Sequence, residues 1–282
     1  MRDLAGRLDL CSINTATLGH QAPIGAMIEA VAKMGFGGIA PWRRDLEGED
    51  VAAVARQIRE TGLRVSGLCR STYFPAASAA GRQAAIDDNR RAVDQAAELG
   101  AACFVLVVGS LPEESRDLPR ARQEVEEGIA ALLPHARAAG VRLALEPLHP
   151  VYAADRSAIT TITEALDLAE RVEPVAEHLG LAVDAYHVWW DPALAPGIAR
   201  AGRDGRLFAL HICDWLRVTR DPLTDRGMMG DGVIDLPALR GMVEDAGYEG
   251  AVEVEIFSSH DWWRRPMEET LAVTADRLQT VC

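Results

Sequence analysis

The sequence predicts an α/β protein, a single (β/α)8 TIM barrel spanning residues 1–282, on three observations. Short β-rich runs alternate with longer runs of helical period along the whole chain. The alternation repeats eight times with no linker or shift of composition between units. In the second half, four successive β-rich runs end on a carboxylate or an imidazole, where a barrel's strands present their chemistry.

The first four units pair strands at Leu8–Ile13, Gly38–Pro41, Arg64–Cys69 and Cys103–Val108 with helices at Ile24–Met34, Asp50–Thr61, Asp87–Leu99 and Pro119–Ala139. The last four pair Arg142–Glu146, Leu181–Asp184, Leu207–Ile212 and Ala251–Ile256 with Ser157–Arg171, Ala193–Arg200, Leu236–Ala246 and Pro266–Gln279. Gly35, Gly62, Gly100, Gly140, Gly180 and Gly247 are expected to end helices, because glycine tolerates the left-handed cap. A doubly wound open sheet is the competing architecture, but no GxGxxG or GxxxxGK phosphate loop follows an early strand.

Hydrophobic residues make up 49% of the chain and charged residues 25%, which excludes disorder and fibrous repeats. The net charge of −13 repels phosphate backbones and anionic lipid, so neither nucleic acid nor membrane is an expected partner. Cys11, Cys69, Cys103, Cys213 and Cys282 are odd in number and lack a CxxC pair, and are read as reduced thiols. The longest apolar stretch, Ala101–Val108, is too short to cross a bilayer, and a cytoplasmic location is expected.

The predicted fifth strand ends in Glu146 (LALEP), the sixth in Asp184 (LAVDAYH), the seventh in His211 (LFALHICD) and the eighth in Glu255 (VEVEIF). Any one of these is readily explained as an isolated polar strand end. Three carboxylates converging in one dry pocket would repel strongly unless a cation held them. A divalent metal resolves the conflict, and oxygen ligands with one imidazole suit Mn²⁺ or Zn²⁺ foremost, with Co²⁺ or Mg²⁺ also compatible. Residues two apart on a strand share a face, so Ala144, Ala182, Ala209 and Glu253 are expected in the layer beneath. Three alanines leave room there, while Glu253 is a buried acid needing a partner, for which Arg142 is the candidate. Glu253 either supports the ligands from below or closes a structural ion pair.

These residues stand in stretches that resemble the xylose-isomerase-like barrels, the sugar phosphate isomerase/epimerase group, and most closely its keto-inositol branch. The matching stretches are LALEP at 143–147, VDAYH at 183–187, LHICD at 210–214, DRGMMGDGVID at 225–235 and VEVEIF at 252–257, with SINTAT at 12–17 a fainter echo. The resemblance implies that Glu146, Asp184, His211 and Glu255 bind one divalent metal and that Glu146 and Glu255 are the catalytic acid/base pair. It also implies that His187 and Arg226 contact substrate, with Arg217 in reach of the same rim. The implied substrate is a small carbohydrate or cyclitol, and the implied chemistry is proton abstraction beside its carbonyl to give an enediolate. Return of the proton gives isomerisation or epimerisation; loss of a leaving group makes the same site a lyase. Endonuclease IV belongs to the same group, but its three-zinc site needs histidines that IAPWRR and GLCRSTYF lack, and Asp225-Arg226-Gly227 replaces its DxH pair. A binding module without catalysis would keep the metal and exchange no protons.

All six tryptophans, Trp42, Trp189, Trp190, Trp215, Trp262 and Trp263, and Tyr73, Tyr152 and Tyr186 fall at or just after predicted strand ends. Trp42, Trp189 and Trp215 are taken as walls that cover sugar C–H surfaces, in a pocket deep enough for a keto-glycoside with an aromatic aglycone. A homo-oligomer interface or a lid is the alternative use for such rings. His149 in LHPVYAADR is expected to face the pocket, with His20 and His260 in other loops. The basic clusters Trp42-Arg43-Arg44 and Trp263-Arg264-Arg265 either grip an anion or pair with Asp45, Glu47, Glu268 and Glu269 in water.

Overall fold

A computed structural model describes residues 1–19, 22–113 and 115–282. In chain order these form β1 (Cys11–Asn14), α1 (Ile24–Met34), β2 (Gly38–Ala40), α2 (Val51–Glu60), β3 (Arg64–Val65), α3 (Ala79–Leu99), β4 (Phe104–Leu106) and α4 (Leu118–Ala139). There follow β5 (Leu143–Leu145), α5 (Ile162–Val172), β6 (Leu179–Asp184), α6 (Ala185–Val188), α7 (Leu194–Arg203), β7 (Leu207–Ile212), α8 (Leu236–Asp245), β8 (Val252–Val254) and α9 (Met267–Thr280).

The strands run parallel in the order β3-β2-β1-β8-β7-β6-β5-β4. Residues after β3 close the ring onto β4: Leu68 N–H donates to Cys103 O, Val105 N–H to Leu68 O, and Ser71 N–H to Val105 O. The protein is a (β/α)8 barrel. No helix among the described residues is long and apolar enough to cross a membrane.

Two packed layers hold the barrel together. Inside the ring, Ala144, Ala182 and Ala209 pack with Cys69, Cys103, Val105 and Phe208, so the expected small-residue layer is present. Outside it, Ile13, Ile39, Leu143 and Leu181 meet helix residues such as Met27, Ile58, Ile129 and Leu166, all essentially inaccessible. Burying each such side chain contributes roughly 1.5–3 kcal/mol. Helix starts are capped by side chains: Asp50 accepts from Ala52 and Ala53, Ser78 from Gly81, Asp117 from Arg120, Thr161 from Glu164 and Asp235 from Ala238.

Three sequence expectations are corrected. Gly180 ends no helix; it lies inside β6, where a Cβ would stand 2.6 Å from Arg206 O and 2.8 Å from the Phe208 ring. The third helix starts at Ala79, eight residues earlier than its apolar pattern suggests, because the Ser78 cap fixes its first turn. The fifth starts at Ile162, after Thr161, rather than at Ser157.

Candidate active site

Short hydrophobic strands carry the functional side chains to one rim. Parallel register sets Asp184 beside His211 and His211 beside Glu253. Glu146 and Glu255 each follow the last residue of a strand, their amides donating to Leu106 O and Ile212 O at 3.1 Å. Glu146, Asp184, His211 and Glu255 are all buried, and each offers one ligand atom within 4.8 Å of the others. His211 Nδ1 lies 2.9 Å from Glu146 Oε1.

A cavity of about 340 Å³ opens onto this cluster, lined by Glu146 and Glu255 together with Trp42, His187 and Arg226. Arg226 is nearly inaccessible, held between the Tyr186 and Phe257 rings at 4.4 and 4.6 Å. Its Nη1 stands 3.3 Å from both Asp184 Oδ2 and Glu255 Oε2, and its Nη2 lies 3.3 Å from His187 Nε2. The His149 amide lies 3.3 Å from His187 Nδ1, so a donor stands at each ring nitrogen and the neutral imidazole accepts from one of them.

Charge is crowded here. Burial pushes the Glu255 carboxyl up to about 8 against the pull of Arg226, with Glu146 and Asp184 adding repulsion. Burial likewise raises Asp184 to about 6. Burial alone would lower His211; the carboxylates of Glu253, Glu146 and Glu255 outweigh it and hold the imidazole well above its usual value. Burial, and then Arg226, keep His187 neutral.

Glu253 lies below the cluster but does not pair with Arg142, whose guanidinium sits 5.2 Å over the Phe208 ring. Its partners are Asn14 Nδ2 at 2.8 Å and Ser66 Oγ at 2.7 Å, and its Oε1 lies 3.5 Å from His211 Nε2. Asn14 Oδ1 in turn accepts from Trp42 Nε1 at 2.8 Å, linking the cavity wall to the layer under the imidazole.

The other expected contacts divide. Trp42, His187 and Arg226 line the cavity, whereas His149, Trp189, Trp215 and Arg217 are not among its lining residues. His149 stacks on Trp215 at 4.7 Å, Trp215 on Tyr186 at 4.6 Å, and Trp189 stands 6.0 Å from Trp215. These rings form a buttress beside the pocket, and Arg217 is exposed. Half of the two basic clusters is ion-paired: Arg43 with Asp88 at 2.9 Å, and Arg265 with Asp261 and Glu269 at 2.7 and 2.8 Å. His20 lies outside the described residues.

Sequence reading missed Asp214, which organises the loop carrying Arg226. Fully buried, it accepts from Trp215 and Ile234 on Oδ1 and from Gly230 and Gly232 on Oδ2, at 2.8–3.0 Å. A Cβ on Gly232 would sit 2.3 Å from Asp214 Oδ1, so the glycine-rich run exists to let this backbone close around the carboxylate. The available signal was that aspartate and glycine run, DWLRVTRDPLTDRGMMGDG.

The family model for the xylose isomerase-like TIM barrel fits residues 28–277. The chain belongs to this family. A crystal structure of a Sinorhizobium meliloti 1021 protein superposes with a TM-score of 0.95 at 53% identity, covering 98% of this chain and 99% of that one. A structure of the IolI protein with a binding zinc atom superposes at 0.80, with 20% identity and 95% of both chains covered. A curated inosose isomerase of Bacillus velezensis is 23% identical over 283 residues, 97% of each chain. One from Halalkalibacterium halodurans is 25% identical over 176 residues, so the match spans 61% of this chain and 59% of that protein.

Proposed function

We propose that the protein is a divalent-metal-dependent isomerase or epimerase of a keto-sugar or keto-inositol, with Glu146 and Glu255 as its acid/base pair. The carrying observation is the buried quartet at the floor of a cavity whose wall supplies His187 and Arg226. Two inosose isomerases among its relatives support a sugar or inositol substrate. A cavity near the lower end of the ~300–1,000 Å³ range for small-molecule sites suits a monosaccharide-sized ligand.

The residues fit a metal. Three carboxylates and one imidazole crowd together almost fully buried, with the Glu253 carboxylate just beneath, an arrangement that calls for a cation. Glu146, Asp184, His211 and Glu255 would hold the ion, and a hard or borderline cation such as Mn²⁺ or Zn²⁺ matches the donor set. When bound it supplies Lewis acidity, making the C–H beside a ketone labile enough for a carboxylate to remove its proton. The two glutamates open onto the cavity, so one takes that proton and the same or the other returns it. The neutral His187 and Arg226, both on the cavity wall, hold oxygens of the ketose against the glutamates.

Proton NMR in D₂O of the Mn²⁺-loaded protein with inososes and ketohexoses tests the reading. Deuterium entering beside the carbonyl is the expected result, and the product separates isomerase, epimerase and lyase. A metal-loaded protein that exchanges no proton on any of them overturns the catalytic assignment in favour of a binding module.

Metal affinity carries a pH signature. Glu255, raised to about 8, must lose its proton to ligate, as must Asp184, raised to about 6. Affinity therefore increases with pH, at least about tenfold per unit between pH 6 and 8, and flattens only above. Calorimetric Mn²⁺ titrations across that range check the slope; a flat profile contradicts the ligand set.

Glu253 orients the imidazole from below. Glu253→Gln is expected to weaken metal binding about 10–100-fold, with proton exchange recovered at saturating metal. An unchanged metal Kd limits Glu253 to a role in the fold.

A further inference from the structure

We propose that the substrate carries an anionic substituent, a carboxylate or a phosphate, remote from its hydroxyketone, and that Arg44 and Arg70 receive it at the mouth of the cavity. This rests on the reading of the cavity as a ketose site. Both arginines line the cavity, and no carboxylate of the described residues forms an ion pair with either. Arg44 is exposed, 5.8 Å from the centre of Trp42, and feels the charge of the neighbouring Asp45 without an ion pair to it. Arg70 is half-buried, 5.9 Å from the same ring and 4.7 Å from Tyr73, with one hydrogen bond to Ser71 O at 3.2 Å.

That neither forms an ion pair is no shortage of acids, since the chain has 42 Asp and Glu against 29 Lys and Arg. The neighbouring Arg43 takes Asp88 at 2.9 Å, so a carboxylate is within reach of this loop and is used elsewhere. Trp42, Arg44 and Arg70 also line a second groove of about 430 Å³, together with Arg43, Thr72 and Tyr73. A substituent on the far end of a ketose held by the glutamates has room there. Guanidinium forks match carboxylate and phosphate oxygens in bidentate geometry. On a protein of net charge −13, such a local pair of cations is what draws an anion to the mouth.

Calorimetric titration of the Mn²⁺-loaded protein with D-fructose, D-fructuronate and D-fructose 6-phosphate tests this. The three share a hydroxyketone end and differ in carrying no charge, a carboxylate or a phosphate at the other, so the two charged sugars tell the anion's source. At least one charged sugar is expected to bind tenfold or more tightly than D-fructose, with a preference that shrinks as salt rises. Arg44→Ala and Arg70→Ala bring the ratio toward one, while Arg43→Ala, whose guanidinium is already paired, keeps it. The ratio is the readout, so a variant that folds poorly weakens all three sugars alike. Equal or absent binding of the charged and neutral sugars, or a preference untouched in both variants, overturns the anion site. Proton exchange on D-fructose with equal affinities leaves the ketose reading standing without it; a charge preference with no exchange on any sugar does the reverse.

Discussion

Glu255→Gln loses metal and turnover together. The amide keeps the shape of the side chain but removes the charge, so Mn²⁺ affinity is expected to fall by about 10² or more and proton exchange by about 10³ or more. The fold is not what fails. In the metal-free protein burial, with repulsion from Glu146 and Asp184 added, pushes the Glu255 carboxyl up to about 8, so near pH 7 the amide replaces a largely neutral acid. After chelation the variant should melt at or above the parent temperature, whereas added Mn²⁺ stabilises the parent far more than the variant. Melting curves with and without metal, with metal content after gel filtration, give the answer. A glutamine variant that binds metal as tightly as the parent, or exchanges protons without metal, sinks the site.

Asp214→Ala acts at a distance from the quartet. Its carboxylate accepts four backbone amides, and alanine leaves these donors unpaired at about 1–3 kcal/mol each. That exceeds what a surface loop retains, so the segment from Trp215 to Ile234 is expected to detach. Arg226 rides on it, tied by reciprocal hydrogen bonds between Asp214 and Gly227 at 2.8 and 2.9 Å. The expected result is a drop in kcat/KM of about 10² or more, a lower Tm at ~2–4 °C per kcal/mol lost, and new proteolytic cuts in the loop. Metal affinity should change little, because Asp214 touches none of the four rim residues. An Asp214→Ala protein with parent Tm and parent kcat/KM shows that the loop needs no such anchor.

The barrel was legible because each βα unit carries its own local signals. The 3.6-residue period of α1 and the glycine caps at Gly35, Gly62, Gly100, Gly140 and Gly247, all with positive φ, are short-range facts. The rim quartet was legible because strand ends in a barrel are a position in sequence. What escaped depends on contacts between distant segments. Glu253 finds Asn14 and Ser66 rather than Arg142, since the pleat sets Glu253 inward and leaves Arg142 exposed at the strand's start. Gly180 reads as a cap but is demanded by the Arg206 carbonyl and the Phe208 ring of the neighbouring segment. The tryptophans stood at strand ends as expected, yet whether a ring faces the cavity is decided by loop path. Trp215 turns to stack on His149 and Tyr186 while Trp42 is held inward by Asn14.

The ring order has a consequence for how such a protein changes over generations. The four rim residues sit at the ends of the adjacent strands β5 to β8, while Arg44 and Arg70 belong to segments that follow β2 and β3, beside the place where the ring closes through loop hydrogen bonds. On the proposed reading, proton transfer falls to one semicircle, which also carries His187 and Arg226, and recognition of the anionic end to the other. If that reading holds, substitutions at Arg44 and Arg70 would alter which ketose is admitted with little coupling to the acids, whereas Trp42 is tied through Asn14 to Glu253. One barrel can in this way explore new substrates while its chemistry stays fixed.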